Sequence, residues 1–214
     1  MTLPYIRRAS PAERAAVVTT VTAAFIDDPA WRFITNDEYE RLAPHFAAAL
    51  FDLRAVSGNV WASDDLATVA MWDGPRRVNE QAQAAERIWA DYRAAAGNRA
   101  YERLVAYKSA VAAAEPPNSY WYLGVLATDP ARRREGLASA VLAPVLREAD
   151  QDGIACCLET STQVNRRFYE RRGFVEPTKV VLDGGPPTWW LRRAPRLVEE
   201  TAATCMSRAG RTPS

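Results

Sequence analysis

A strand, a basic turn and a helix follow one another in residues 120–151, and this succession limits the possible folds most strongly. Residues 120–127 form an aromatic and aliphatic run of strand length, and Pro130, which has no N–H to donate, closes it. From Gly136 onward, apolar residues recur at four-residue steps, which predicts a helix. Three consecutive arginines, residues 132–134, connect the two elements. Arginines beside the free N–H groups of a helix N-terminus favour a diphosphate site.

The turn between this strand and helix lacks the marks of two common nucleotide sites. It has neither the Gly-Lys-Ser/Thr ending of a P-loop nor the glycine spacing of a dinucleotide-binding turn. Residues 133–138, Arg-Arg-Glu-Gly-Leu-Ala, instead resemble the pyrophosphate-binding turn Arg/Gln-x-x-Gly-x-Gly/Ala of the GNAT acetyltransferases. Alone, this match is also compatible with an ordinary strand-to-helix connection. Residues 165–174 resemble the family's Asn-x-x-x-Tyr-x-x-x-Gly-Phe segment, and the two motifs in this order favour the family.

The resemblance implies a single α/β domain over residues 1–195. Its central mixed, mostly antiparallel sheet would be splayed between two parallel strands and flanked by helices. The succession of strand and helix patterns independently favours the α/β class. Residues 196–214 are polar and rich in alanine, and we expect them to form a flexible tail. Segments 158–161 and 185–189 suggest a closer likeness to the puromycin N-acetyltransferases and their actinobacterial relatives.

By the same resemblance, acetyl-CoA is the acyl donor and binds between the two parallel strands, which end near Ala127 and Thr160. Backbone groups of Val125, Leu126 and Ala127 would hold the pantetheine arm. In the turn, Arg134 and Ala138 stand where glycine is common in the family, and their added bulk would narrow the approach of the diphosphate. The residues expected around the diphosphate are Arg133, Arg134, Gly136, Ala138 and Ser139.

Acetyl transfer requires a neutral amine, a donor for the developing oxyanion and a proton for the leaving thiolate. Tyr169 resembles the tyrosine that is thought to protonate the thiolate in this family. Asn165, four residues earlier, shares its helix face, so we expect both side chains to contact the coenzyme. A backbone N–H near Leu126 is the candidate oxyanion donor. The base stays open: Glu159 lies near a predicted strand end, the aspartates at 27–28 precede an aromatic segment, and water alone is a further route.

Several aromatic side chains and one carboxylate are candidates for binding an acceptor with a ring system. We therefore predict an N-acetyltransferase acting on a small amine, such as an antibiotic or a related metabolite. One alternative is a non-catalytic acyl-CoA-binding module. Another is acetylation of a protein N-terminus or lysine, which needs an open groove that the insertion at 78–114 would cover. The candidate acceptor residues are Asp28, Trp31, Phe33, Tyr120 and Tyr122.

Composition sets further limits on the 214-residue chain. A formal charge of +1 provides no general basic excess, which argues against a nucleic-acid partner. Residues 1–9 lack an apolar signal core, and no window reaches the roughly 20 apolar residues of a membrane span, so we expect a cytoplasmic protein without a membrane partner. The sequence leaves monomer and homodimer both open. Cys156 and Cys157 are neighbours in a predicted strand and should point to opposite faces. With Cys205, they indicate neither a disulfide framework nor a metal site.

The remaining pattern supplies three local expectations. Two apolar runs around the polar turn 63–65 predict a hairpin. Residues 78–114 predict two helices separated near Gly97. Residues 37–56 predict a helix that Pro44 breaks or restarts. His45 is the only histidine, but no carboxylate stands at a spacing that favours a catalytic role.

Overall fold

A computed structural model describes residues 4–75 and 79–196 of the chain. These residues contain seven strands and seven α-helices. The strands are β1 (Ile6–Arg8), β2 (Val60–Ser63), β3 (Thr68–Asp73), β4 (Tyr120–Thr128), β5 (Ala155–Thr160), β6 (Val175–Val180) and β7 (Thr188–Arg193). The helices are α1 (Arg14–Ala24), α2 (Pro29–Thr35), α3 (Tyr39–Ala55), α4 (Asn79–Ala96), α5 (Asn98–Ala112), α6 (Leu137–Gln151) and α7 (Gln163–Glu170).

All seven strands form one sheet in the order β1-β2-β3-β4-β5-β7-β6. Strands β4 and β5 are parallel, and every other pair of neighbours is antiparallel. The mixed, mostly antiparallel sheet and its parallel centre are confirmed. The hairpin around residues 63–65 and the two helices of the 78–114 insertion are confirmed as well.

The central strand β4 contains a β-bulge at Gly124. Met71 of β3 pairs with Val125, whereas the next residue, Trp72, pairs with Leu123, so Gly124 has no partner of its own in β3. The parallel pairing of β4 with β5 extends only as far as Leu123, which pairs with Leu158. Among the described residues the two strands make no pair beyond this point, and the sheet opens there.

Two apolar cores lie on opposite faces of the sheet. Helices α1 to α5 cover the core that contains Val21, Leu42 and Phe51, and α6 with α7 covers the core that contains Val141 and Phe174. Neighbouring residues of β5 point into different cores: the Cys156 side chain belongs to the second and that of Cys157 to the first. Their opposite directions follow the alternation expected of a strand, and both thiols are buried.

The expectation that Pro44 breaks its helix is wrong. Helix α3 runs without interruption from Tyr39 to Ala55 and contains Pro44 near its beginning. Proline there removes the N–H that would bond to the carbonyl of Glu40, so the loss is limited to about one hydrogen bond. The flanking side chains Ala43 and Phe46 are buried in the first core, and their packing holds the helix together across the proline.

The predicted tail lies outside the described residues, apart from Arg196, and so does Cys205. In the part of the chain that the structure describes, no helix combines the length and the apolar character required to cross a bilayer. The same residues contain no group of three or more histidine, cysteine, aspartate or glutamate side chains arranged to hold a metal ion.

Candidate active site

A cavity of about 810 Å³ lies where β4 and β5 separate. Its floor includes Gly124 and Leu126 of β4 and Glu159 of β5, and its walls come from helices on the side of the first core. Because the two parallel strands no longer pair beyond Leu123, their facing edges are available to a ligand that enters the gap. The cavity therefore reaches the strand edges that are expected to hold the pantetheine arm. Its volume is large enough for a drug-sized acceptor.

Glu159 is held at this opening by Tyr122. The Tyr122 hydroxyl donates a hydrogen bond to Oε2 of Glu159 at 2.5 Å, and the Tyr122 ring stacks on Trp190 with centroids 5.7 Å apart. Burial raises the pKa of Glu159 to about 7, although the hydrogen bond from Tyr122 acts in the opposite direction. A carboxyl group with a pKa near neutrality can exchange protons at physiological pH, as a general base must.

Tyr169 reaches the same cavity from α7, and Asn165 lies beside it. Thr162 caps the helix, because its hydroxyl oxygen accepts a hydrogen bond from the Asn165 N–H at 3.1 Å. The Tyr169 side chain is 8% exposed and packs edge-on against Phe174. Burial raises the pKa of Tyr169 well above its usual range, so the hydroxyl stays protonated and can act only as a proton donor.

Asp28 and Trp31 also line the cavity, at the beginning of α2. One Asp28 carboxylate oxygen accepts hydrogen bonds from the N–H groups of Ala30 at 2.9 Å and Trp31 at 3.1 Å, which caps the helix. Burial raises the pKa of Asp28. Trp31 is fixed between Phe25 and Phe46, each with a ring centroid 4.7 Å away. Asp28 thus has a structural role in addition to its place in the cavity.

Other predicted acceptor residues lie elsewhere. Phe33 packs against the first core without lining the cavity, because it stands two positions beyond Trp31 and so projects from another side of α2. Tyr120 contacts the edge of Trp190 instead, with ring centroids 5.9 Å apart. Asp27 and His45 are exposed and do not line the cavity, so Glu159 and Asp28 are the predicted candidate bases that do. Asp73 and Glu115 line it as well.

The residues predicted to contact the pantetheine arm differ in orientation. Val125 and Ala127 bury their side chains in the first core, whereas Leu126 lines the cavity. Val125 and Ala127 stand opposite Met71 and Val69 in the hydrogen-bonded pairs with β3, so their N–H and C=O groups point towards β3. Of the three residues, Leu126 is therefore the one whose backbone groups face the gap.

The basic turn presents free N–H groups and cations at the start of α6. Gly136 is the N-cap with φ of 84°, and the first amides of the helix after it have no intrahelical acceptor. Arg134 has φ of 69°, a left-handed conformation that explains why glycine is common at this position. Arg132 is paired with Glu135 at 2.7 Å and with Asp65 at 3.0 Å, and therefore anchors the turn.

The neighbouring side chains of the turn leave room for a diphosphate. Arg133 and Arg134 are exposed, and one Arg133 nitrogen donates to the carbonyl of Ala24 at 3.3 Å. Ala138 and Ser139 occupy the first turn of α6 and are partly exposed. Two exposed cations beside unsatisfied helix N–H groups suit a diphosphate, so the turn fits the coenzyme that the sequence resemblance implies.

Sequence reasoning missed an ion pair beneath the opening, between a buried arginine and a partly exposed aspartate. Arg54 of α3 is 5% exposed, lines the cavity and contacts Oδ2 of Asp73 at 2.7 Å. A Cβ added to Gly124 would lie 2.8 Å from Cζ of Arg54, so the bulge must be glycine for the guanidinium to fit. The positive charge of Arg54 also lowers the pKa of Glu159. A glycine inside a strand was the available signal for such close approach.

Helices α4 and α5 supply a second group of cavity residues that was not predicted, including Trp89, Leu104, Tyr107 and Lys108. Their aromatic and aliphatic side chains form one wall of the cavity. Phe46 connects this wall to the rest of the aromatic lining, with ring centroids 6.4 Å from Trp89. Only the packing of the insertion against α2 and α3 brings these side chains to the cavity.

Comparison with known proteins agrees with this architecture. Residues 59–174 match the model of the acetyltransferase (GNAT) family, which is more than half of the chain. Among curated proteins, peptidoglycan endopeptidase RipA of Mycobacterium tuberculosis is 26% identical over 223 aligned residues, covering 96% of this chain and 46% of RipA. The chain thus spans less than half the length of that relative.

Two solved structures share the fold. One from Corynebacterium glutamicum, described as histone acetyltransferase HPA2 and related acetyltransferase, has a TM-score of 0.64 at 23% identity, with 92% of this chain and 99% of that chain covered. The polyamine N-acetyltransferase of Drosophila melanogaster, which forms N-acetylagmatine, has a TM-score of 0.60 at 14% identity, with 89% and 99% covered. At these identities the likeness shows the fold alone.

The closer likeness to puromycin N-acetyltransferases is not supported by these comparisons. The family match, the sheet that opens between two parallel strands and the basic turn at a helix N-terminus agree with one another. The chain belongs to the GNAT family of acetyltransferases, which use acetyl-CoA as the acyl donor for acetylating amines.

Proposed function

We propose that this acetyltransferase acylates the amine of a small molecule with a ring system, such as an antibiotic or a related metabolite, by direct attack on the thioester. The observation that carries the proposal is the placement of Glu159. Its carboxyl group has a pKa raised to about 7, is held by Tyr122, and shares one cavity with the Tyr169 hydroxyl. A base and an acid on opposite sides of a reacting carbonyl are what the chemistry requires.

The residues then have separate roles. Glu159 takes the proton that the incoming amine must lose, and the N–H of Leu126 stabilises the oxyanion formed as nitrogen bonds to the carbonyl carbon. Tyr169 gives its proton to the sulfur as the carbon–sulfur bond breaks, which yields an amide and free coenzyme A. Arg133, Arg134 and the amides after Gly136 hold the diphosphate of the donor.

The shape of the acceptor side favours a small molecule over a peptide. Helices α4 and α5 close the cavity with side chains such as Trp89, Leu104 and Tyr107. Together with Trp31 and Phe46 they give an apolar, aromatic lining, whereas an extended peptide needs an open groove. Such a lining suits a planar or polycyclic ring system. The amine of the acceptor would then lie at the end of the cavity that holds the Glu159 carboxyl group.

The test is a mass-spectrometric screen of amines with acetyl-CoA, in which acetylated product and released coenzyme A are both measured. The set contains ring-bearing amines, aliphatic amines and agmatine, since the Drosophila relative forms N-acetylagmatine. We expect product from ring-bearing amines and a loss of about 10²–10⁴ in kcat for Glu159→Gln with the best of them. Failure of every amine to release coenzyme A above background would leave only the non-catalytic binding module.

Matched variants separate chemistry from folding. Glu102→Gln changes an exposed glutamate of α5 that does not line the cavity, and Tyr5→Phe changes a tyrosine that is 72% exposed. Both should keep the parental rate. Tyr169→Phe should lower kcat with little change in the affinity for coenzyme A. Equal rates for Tyr169→Phe and Tyr5→Phe would remove the Tyr169 hydroxyl from the mechanism.

A further inference from the structure

A second cavity, of about 310 Å³, lies between α6 and the ends of α7 and β7. Among the described residues its lining contains no acidic side chain. Five arginines and the hydroxyl of one serine are its polar groups: Arg147, Arg171, Arg172, Arg193, Arg196 and Ser139. We refer to this cavity as the arginine cleft.

The positive charge of the arginine cleft is only partly balanced. Arg193 is neutralised by Asp150, which accepts two hydrogen bonds of 2.7 Å from it. In the part of the chain that the structure describes, no carboxylate lies within ion-pair distance of Arg147, Arg171 or Arg172. The cleft therefore concentrates cations that attract an anion.

Arg172 is the cation set deepest among these three. Its guanidinium lies 3.4 Å from the Phe168 ring centroid, donates to the Phe168 carbonyl at 2.7 Å and donates to the Ser139 hydroxyl. All of these partners are neutral. Burial and the neighbouring charge of Arg171 lower the pKa of Arg172, which is the sign of an uncompensated positive site.

The arginine cleft begins at the basic turn. Ser139 stands in the first turn of α6, next to the N–H groups proposed for the diphosphate, and its bond to Arg172 joins the two regions. Ala143 and Arg147 follow on the same face of α6, about 6 and 12 Å farther along the axis at a rise of 1.5 Å per residue. A ligand whose diphosphate lies on the helix N-terminus can thus extend along α6 into the cleft.

We propose that the arginine cleft binds a phosphate monoester, supplied by the 3′-phosphate of coenzyme A. The adenosine that carries the diphosphate on its 5′ carbon carries this monoester on the same ribose, so one sugar ring spans the two sites. A phosphate monoester bears about −1.5 to −2 charges at neutral pH and accepts bidentate hydrogen bonds from guanidinium groups. The inference rests on the proposed function, because it assumes that the coenzyme occupies the basic turn.

The experiment compares coenzyme A with 3′-dephospho-coenzyme A by calorimetry at fixed ionic strength. We expect the full chain to bind coenzyme A at least tenfold more tightly than the dephospho form. In the double variant Arg147→Met/Arg171→Met this ratio of affinities should fall towards one, because coenzyme A binds more weakly while the affinity for the dephospho form is unchanged. Arg192→Met, an exposed arginine of β7 outside the cleft, should keep the tenfold ratio. Arg147 and Arg171 are also exposed, so their removal leaves the core unchanged.

The outcomes that overturn the inference are distinct. Equal affinities of the full chain for the two coenzymes would exclude a role for the 3′-phosphate in the cleft. Inorganic phosphate is titrated in parallel. If phosphate binds the parent and not the double variant, while coenzyme A and its dephospho form bind the parent equally, the cleft is a site for free anions only. Absence of binding for both coenzymes would refute the proposed function itself, whereas binding of both with a ratio of one refutes this inference alone.

Discussion

Replacing Gly124 with alanine would place a methyl group where the Arg54 guanidinium lies. The added Cβ would come to 2.8 Å from Cζ of Arg54, well inside the roughly 3.5–4.0 Å of an optimal carbon contact. Arg54 has little freedom to move, because it is 5% exposed and its nitrogens contact Asp73 at 2.7 Å and the Leu50 carbonyl at 3.2 Å. The substitution must therefore push the guanidinium away from its carboxylate.

The cost has two parts. Overpacking a well-filled site costs about 1–3 kcal/mol. Breaking a fully buried ion pair costs about 3–5 kcal/mol, but the Asp73 side chain is 35% exposed, so solvent screens this pair and only a fraction of that cost applies. We expect Gly124→Ala to lower the free energy of unfolding by about 3 kcal/mol.

Urea unfolding of a double-mutant cycle tests the cause. In an Arg54→Met background the flexible methionine can move away from the added methyl group. Gly124→Ala should then lower the free energy of unfolding by less than about 1 kcal/mol, so the coupling energy between the two substitutions should be about 2 kcal/mol. Gly74→Ala is the matched control, since neither glycine has a left-handed φ and the Cβ added at Gly74 would make only an ordinary contact, 3.4 Å from Nδ2 of Asn59. Additive effects of Gly124→Ala and Arg54→Met would refute the contact as the reason for glycine.

Three further predictions concern single side chains. Arg134→Gly should raise the free energy of unfolding by about 1 kcal/mol in calorimetry, because it relieves a left-handed φ of 69°; a lower Tm would contradict this. Tyr92→Phe should be neutral or stabilising by about 1 kcal/mol in urea, because the buried Tyr92 hydroxyl has no hydrogen-bond partner among the described residues. The kcat/KM of the enzyme should fall as pH drops through about 7, because Glu159 is then protonated. Tyr122→Phe removes a bond that lowers this pKa, so the fall should begin at higher pH, and an unchanged profile would show that Glu159 is not the base.

The basic turn was predictable because its chemistry is local. A proline, three arginines and a small residue at a helix start all lie within residues 130–136, whereas the left-handed conformation at Arg134 was found only in the structure. A local glycine likewise marked the helix break at Gly97, where a φ of 81° separates α4 from α5. Pro44 shows the limit of such reasoning, since burial of the residues beside it decided the outcome against local propensity.

The interior of the candidate active site could not be predicted, because it depends on contacts between distant segments. Arg54 meets Gly124 only after α3 packs on the sheet, and Trp89 reaches the cavity only through the docking of α4. Phe33 and Trp31 stand two residues apart in one aromatic segment, yet the turn of α2 directs only Trp31 to the cavity. The sequence identifies the aromatic residues near the site but does not determine which of their side chains point into the cavity.

Helices α4 and α5 pack chiefly on α2, α3 and each other, and the sheet is held by its own strand pairing. Substitutions on the cavity-facing side of residues 79–112 therefore leave the sheet hydrogen bonds and the basic turn in place, whereas Tyr92, Leu104 and Val111 are needed in the first core. On the proposed function, the wall around the acceptor can change while the coenzyme site stays as it is. We expect differences in acceptor range among relatives to be concentrated in these two helices.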